Sequence, residues 1–258
     1  MIMRKIDLKR EKDRIIGFIR DQLESAGLND LIVGISGGID SAITAALCVE
    51  AIGREKVHGF LLPYRLSNAA SLEDGKAVAI HLRLNSEIID ISPMVDAYIE
   101  KYIPDADRLR RGNRMARERM CVLFDQSAKY KGLVAGTGNK SELLTGYVTQ
   151  HGDGACAFEP LGHLYKTEIF ELAKLLKLPD IVITKPPTAD LWEEQTDESE
   201  MGLTYKTLDE ILYVLYEKKQ SEKHLIKKGF LQKDINRVIQ LYRKSEFKRH
   251  LPPQPEME

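Results

Sequence analysis

Gly34-Ile35-Ser36-Gly37-Gly38-Ile39-Asp40-Ser41 is the run best suited to chemistry in this chain of 258 residues. It lies where a short apolar run ends and a small-residue, helix-forming run begins. Glycines at such a junction let backbone N–H groups approach phosphate oxygens, and the N-terminus of the following helix adds a favourable dipole. The spacing therefore predicts a phosphate cradle. It is not a Walker A loop, because no Gly-Lys-Ser/Thr follows, and it lacks the Gly-x-Gly-x-x-Gly spacing of a dinucleotide fingerprint. Asp40 or Ser41 alone would also serve as a helix cap, so a simple capped glycine turn is the competing reading.

The elements that must position this run follow from periodicity. Ile6, Ile15, Ile16, Ile19 and Leu23 recur largely at helical spacing over Lys5 to Ala26, and Gly27 ends that helix. Leu31 to Ile35 reads as a buried strand, Ser41 to Ala51 as a helix, Lys56 to Leu62 as a strand, Ser71 to Leu84 as a helix and Ser86 to Ile91 as a strand. Pro93 to Tyr102 and Gly112 to Lys131 read as helices, and Gly132 to Gly136 as a further strand. Such alternation predicts an α/β fold, a parallel sheet flanked by helices in one domain spanning the chain. Open sheets of this class bind ligands beyond the carboxyl ends of their strands, which points to Ile35 and Gly136. Gly146, Gly152, Gly154, Pro160 and Gly162 predict a binding loop before the helix Lys166 to Lys177. Thr184 to Gly202, with two prolines and many carboxylates, predicts a lid or substrate loop. Thr207 to Lys219 and Gln232 to Lys244 read as helices ahead of a proline-rich tail.

Composition narrows the function classes. A formal net charge of −1 argues against a protein that neutralises many phosphates of a long nucleic acid. The charged N-terminus lacks the apolar core of a signal peptide, and no run approaches the length of a membrane span, so a cytoplasmic protein without membrane or nucleic-acid partners is predicted. Cys48, Cys121 and Cys156 show no Cys-x-x-Cys pairing; Cys48 and Cys121 read as core thiols and Cys156 as a loop thiol without a base beside it. The histidines show no metal-ligand spacing.

The glycine run resembles the pyrophosphate loop of the ATP pyrophosphatases, which cleave ATP between its α and β phosphates. Four further blocks occur in order downstream: GTGNKSELLTGY (Gly136 to Tyr147), GDG (Gly152 to Gly154), LYKTEIFELAKLL (Leu164 to Leu176) and PPTADLWEEQTDESEMG (Pro186 to Gly202). Together they resemble the ammonia-dependent NAD synthetases over nearly the whole chain. The resemblance implies a Rossmann-like fold of the adenine nucleotide alpha hydrolase kind. It also implies a homodimer and a ligase that joins ammonia to deamido-NAD at the cost of ATP, with free ammonia or a separate glutaminase supplying nitrogen. Carried over by position, Gly34, Ile35, Ser36, Gly37, Gly38, Ile39, Asp40 and Ser41 hold the ATP phosphates, and Thr137, Lys166 and Thr188 contact ATP. Asp40 and Glu142 bind Mg2+, which takes hard oxygen ligands. Lys166 begins a helix, where the dipole disfavours a cation, so a purely helical reason for it is weak. Glu142 also fits an ordinary first-turn acid. Arg117 matches a contact to the dinucleotide, although on an arginine-rich helix it is more easily a solvated face.

Three departures fall on the acyl-acceptor side. The family's usual lysine is Gln150, an aspartate position is Ala157, and the histidine of a His-Lys pair is Phe247, followed by Lys248. Glu159 and Asp153 are the candidates to replace the lost acid. These changes leave open a related acid such as nicotinate mononucleotide, and a catalytically silent nucleotide-binding paralogue; an RNA-modifying pyrophosphatase is disfavoured by the near-neutral charge.

Overall fold

Four short strands rich in β-branched and aliphatic residues pair in parallel in the computed structural model, which describes residues 2–188, 190–192 and 195–255. They are β1 (Asp30–Gly34), β2 (Val57–Leu61), β3 (Asn85–Ile88) and β4 (Gly132–Ala135), in the order β3-β2-β1-β4. Leu31, Ile32 and Val33 are fully buried, as a strand covered on both faces requires. The chain runs outward from β1 through β2 to β3, then returns to lay β4 on the other side of β1. The reversal of strand order thus falls between β1 and β4, where open α/β sheets form a crevice at their carboxyl ends. Ala135 adds one parallel bridge to Phe158, so the predicted binding loop crosses the mouth of that crevice.

Local chemistry sets the helix ends. In α1 (Leu8–Ala26) the Asp7 side chain accepts the N–H groups of Lys9 and Arg10, and Gly27 closes the helix at φ 66°. Together with α2 (Ile39–Ile52) and α3 (Ala69–Leu82) it covers one face of the sheet, while α4 (Ser92–Tyr102) and α5 (Arg108–Tyr130) cover the other. Next come α6 (Lys140–Thr145), α7 (Lys166–Leu175) and α8 (Asp180–Thr184), the last two packing against the α1–α2 layer. The remaining helices are α9 (Asp197–Met201), α10 (Tyr205–Leu212), α11 (Glu222–Lys227) and α12 (Gln232–Lys244). They build a separate apolar cluster around Leu208, Ile211, Leu212, Ile235 and Val238.

The differences from the sequence reading are instructive. Tyr205 already begins α10 because the Thr204 hydroxyl accepts the N–H of Thr207, and the helix relaxes into a π turn over Tyr213–Glu217. The loop predicted from Thr184 to Gly202 contains α9, capped by Thr196, while its residues 189, 193 and 194 lie outside the described residues. Cys121, read as core, is exposed on α5, whereas Cys48 is buried as read. The arginine-rich face of α5 is pinned in part: Arg111 donates to the carbonyls of Ala106 and Pro104, and Arg119 to that of Leu62. No described helix is long and apolar enough to cross a membrane.

Leu47 is fully buried on α2, the helix packed between the sheet, α1 and α7. Leu47→Ala is expected to lower the free energy of unfolding by about 2–5 kcal/mol, because the site collapses only partly around the lost methyls. Urea denaturation reads this directly, and a loss below about 1 kcal/mol would contradict the packing assigned to α2.

Candidate active site

The glycine run leaves β1 and turns into α2 through a set of short-range hydrogen bonds. Ser36 N–H donates to Ser41 Oγ at 3.2 Å, Ser41 Oγ donates to the Gly38 carbonyl at 3.0 Å, and Gly38 N–H donates to Ser36 Oγ at 3.2 Å. Gly37 sits at φ 78°, and a Cβ there would meet the Ser71 carbonyl oxygen of α3 at 2.2 Å. Only glycine fits this position, both for its left-handed backbone and for the close approach. Gly38 is the N-cap residue of α2 and its cap has no side-chain bond. The first-turn N–H groups of α2 are thus left for an anion rather than for a side chain.

Asp40 is therefore not the cap. Its carboxylate is held across the crevice by the Asn139 amide, which donates to Oδ1 at 2.9 Å, and by the Lys166 ammonium on Oδ2. Lys166 Nζ also lies 3.2 Å from Glu142 Oε1. Asn139 and Glu142 form a reciprocal capping box at the start of α6, so the first-turn reading of Glu142 and its role as a partner of Lys166 both hold. Three elements that follow β1 and β4 thus converge on one ammonium that is 3% exposed.

The electrostatics of this cluster are unbalanced. Burial works against the charge of Lys166, yet Asp40 and Glu142 outweigh it and hold the ammonium above the ordinary lysine range. Burial pushes the Glu142 carboxyl well above the usual carboxylate range; Lys166 offsets part of that, and Asp40 and Asp197 add to it. Asp197, raised chiefly by burial, accepts the Tyr205 hydroxyl on Oδ2 at 2.9 Å, while its buried Oδ1 has no hydrogen-bond partner among the described residues. Three carboxylates face one cation, and the site is short of positive charge.

The cluster opens into a cavity of about 680 Å³. Gly34, Ile35, Ser36, Gly38, Ile39, Asp40 and Ser41 line it, as do Thr137, Glu142, Lys166, Thr188 and Lys248, while Gly37 stands behind the loop against α3. Arg117, Gln150, Ala157 and Phe247 are not among the described lining residues. Arg117 is exposed and donates to the Gln150 carbonyl at 3.3 Å, the exposed Ala157 donates its N–H to the Val134 carbonyl, and Phe247 is 60% exposed. Lys248 spends its ammonium on the carbonyls of Gly146 and Val148, at 2.8 and 2.6 Å.

Of the two acids that could replace the lost aspartate, Asp153 lines the cavity. Glu159 instead accepts the Gly138 N–H at 2.9 Å and lies against Cys156, which therefore does have a carboxylate beside it. Burial pushes Glu159 up to about 7 and the Cys156 thiol above its ordinary range, so Cys156 is a poor nucleophile. Sequence reasoning missed Asn139, Arg119 and Lys185 as lining or supporting residues. Arg119 was grouped with its helix neighbours, but its position among the cavity-lining residues and its bond to Leu62 mark it off from them. Lys185 ties the segment before Pro186 to α3 through Asp74 at 2.7 Å and Ser71 at 3.0 Å. The Asn-x-x-Glu spacing of a capping box was the available signal for Asn139.

Residues 11–252 match the family model described as NAD synthase. An ammonia-dependent NAD synthetase of Fusobacterium nucleatum is 45% identical over 252 residues, covering 97% of this chain and 97% of that protein. Among solved structures, an ammonia-dependent NAD synthetase from Campylobacter jejuni, in complex with a nitrate ion, is similar at a TM-score of 0.83 and 34% identity, over 98% of this chain and 100% of that one. An NMN synthetase from Francisella tularensis is similar at a TM-score of 0.88 and 29% identity, with the same coverage of 98% and 100%.

The contact between Gly37 and α3 gives a direct test of the phosphate cradle. Gly37→Ala meets both the Ser71 carbonyl and a left-handed backbone, a strain on the order of 1–3 kcal/mol. It is expected to weaken ATP binding by about tenfold or more in titration calorimetry. Unchanged affinity would remove the loop from the nucleotide site.

Proposed function

The chain belongs to the NAD synthase family, and on that premise we propose that it amidates deamido-NAD with ammonia, consuming ATP and giving NAD, AMP and pyrophosphate. The observation that carries this reading is the meeting of Asp40, Glu142 and Lys166 at the mouth of the crevice, directly beside the glycine loop.

A carboxylate is a poor electrophile, and adenylation gives it a good leaving group. A nicotinate carboxylate oxygen attacks the α-phosphorus of ATP, the bond from that phosphorus to the bridging oxygen breaks, and pyrophosphate departs with the electron pair. Ammonia then attacks the acyl carbon, the carbon–oxygen bond to AMP breaks, and the nitrogen loses a proton. Within the Gly34 to Ser41 loop, the uncapped first-turn N–H groups of α2 at Ile39, Asp40 and Ser41 hold the phosphates, Thr137 and Thr188 contact ATP, and Lys166 stabilises the charge on the departing pyrophosphate. Arg119 and Asp153 add a cation and an acid on the cavity wall.

Magnesium fits the donor set. Asp40 and Glu142 offer hard oxygens, with Asp197 a third carboxylate nearby and Lys166 the one cation on them. No cluster of three or more His, Cys, Asp or Glu side chains suited to a metal occurs among the described residues. An ion of this kind takes one or two carboxylates and completes its shell with phosphate oxygens and water. When bound, the ion would screen the phosphate charge. Asp40 and Glu142 would hold it, and Lys166, placed between them, would remain beside the phosphates as a second cation.

A homodimer belongs to the same reading. Exposed Tyr98, Tyr102, Leu109 and Phe124 on α4 and α5 supply apolar surface for a second copy. Arg117, Gln150, Ala157 and Phe247 are then assigned to the rim of the dinucleotide site rather than to the ATP cavity. Ammonia enters as such or from a separate glutaminase. Cys48, Cys121 and Cys156 are free thiols, which suits the cytoplasm.

A second substrate has one specific observation in its favour, the higher TM-score of the NMN synthetase. Turnover with ATP, magnesium and ammonium, offered deamido-NAD or nicotinate mononucleotide, separates the two. The expected outcome is equal NAD, AMP and pyrophosphate, with the larger kcat/KM for deamido-NAD. Preference for the mononucleotide would replace the named substrate, and ADP with orthophosphate would overturn the adenylation chemistry.

A further inference from the structure

Asp209 on α10 has no exposed surface. Its Oδ1 accepts the Ser141 hydroxyl, and its Oδ2 accepts the Thr167 N–H at 2.9 Å. Ser141 Oγ accepts in turn the N–H of Lys166 at 2.9 Å. Ser141 precedes Glu142 on α6, and Thr167 follows Lys166 on α7. One carboxylate, contributed by the C-terminal helical layer, therefore ties together the first turns of the two helices that present Glu142 and Lys166.

We propose that Asp209 is a positioning residue for adenylation, holding Lys166 in register with Glu142 through Ser141 and the first turn of α7. The proposal rests on the function given above for Lys166 and Glu142. Its physical basis is twofold. The N-terminus of α7 exposes N–H groups and favours a nearby anion, which Asp209 supplies where Lys166 puts a cation. A charge-assisted chain from Lys166 N–H through the Ser141 hydroxyl to Asp209 also has a single direction, because the carboxylate only accepts.

This arrangement costs stability. Burial pushes the Asp209 carboxyl up to about 6, and the bonds from Ser141 and Thr167 offset only part of that. An acid whose folded pKa lies above its unfolded value destabilises the folded state once pH exceeds the folded pKa, and the penalty disappears below the unfolded one. At neutral pH the buried charge is therefore a net burden on folding.

Asp209→Asn keeps the volume but places an amide N–H donor where only acceptors serve, so the Ser141 hydroxyl loses its partner or Thr167 N–H does. The test compares wild type, Asp209→Asn, Ser141→Ala and the double variant in AMP release at saturating ATP, magnesium, ammonium and deamido-NAD, with thermal melting near neutral pH. Each single variant is expected to lose about 10–100-fold in kcat, the effect of a slight misplacement of catalytic groups. The KM for ATP should stay within about threefold, and the double variant should be no worse than the poorer single one. A kcat within about twofold of wild type, whatever the Tm, would make Asp209 merely structural and overturn the proposal. Independent, additive losses would overturn the route through Ser141. Should Asp209→Asn not fold, Ser141→Ala alone decides by the same kcat criterion. Wild type releasing no AMP would instead overturn the proposed function, and this inference with it.

Discussion

Lys166 joins parts of the chain that are far apart in sequence: Asp40 is 126 residues away and Glu142 is 24. An ammonium taken out of water pays a desolvation cost of several kcal/mol, which only close carboxylates offset. The first residue of a helix is also a poor place for a cation. Both facts mean that Lys166 stays where it is because Asp40 and Glu142 hold it there, and that the two acids tolerate each other because Lys166 lies between them. The crevice between β1 and β4 is thus electrostatically tensioned around one group. Removing that group would leave two partly buried carboxylates facing each other without a counter-charge, which destabilises the fold.

Everything else serves to place these charges. The sheet order brings the loops after β1 and β4 side by side, so Asp40 and Asn139 meet across the strand reversal. The capping box of α6 fixes Glu142, and its reciprocal bonds use the same Asn139 that steadies Asp40. Gly37 lets the glycine loop lie against α3, where Lys185 also anchors the segment leading to Thr188. The C-terminal helices, remote in sequence from the glycine loop, reach the centre through Asp209.

The strand, loop and helix alternation was legible because β1, β2 and β4 are apolar runs bounded by turns, and the glycine loop stood out because three glycines occur at one such boundary. Helix limits were read less well where caps decide them: Thr204 starts α10 ahead of its first leucine, and Thr196 nucleates α9 inside a segment read as loop. Asp40, Glu142 and Lys166 were found through a family resemblance, and the geometry adds what spacing along the chain leaves open, namely that they touch. Arg119 and Asp209 escaped because their value lies in contacts between segments, whereas Asn139 carried a local signal in its capping-box spacing. Cys121 was misassigned because apolar sequence neighbours say little about which face of α5 a residue takes.

The most direct measurement of the central claim follows oxygen. Deamido-NAD labelled with oxygen-18 in both carboxylate positions is turned over with ATP, magnesium and ammonium, and the products are weighed by mass spectrometry. Attack of the carboxylate on the α-phosphorus requires one labelled oxygen to leave with AMP and the other to remain in the new amide. Label in AMP and amide alike is the predicted result. Unlabelled AMP, with the label lost to orthophosphate, pyrophosphate or water, would contradict an acyl-adenylate formed in this site.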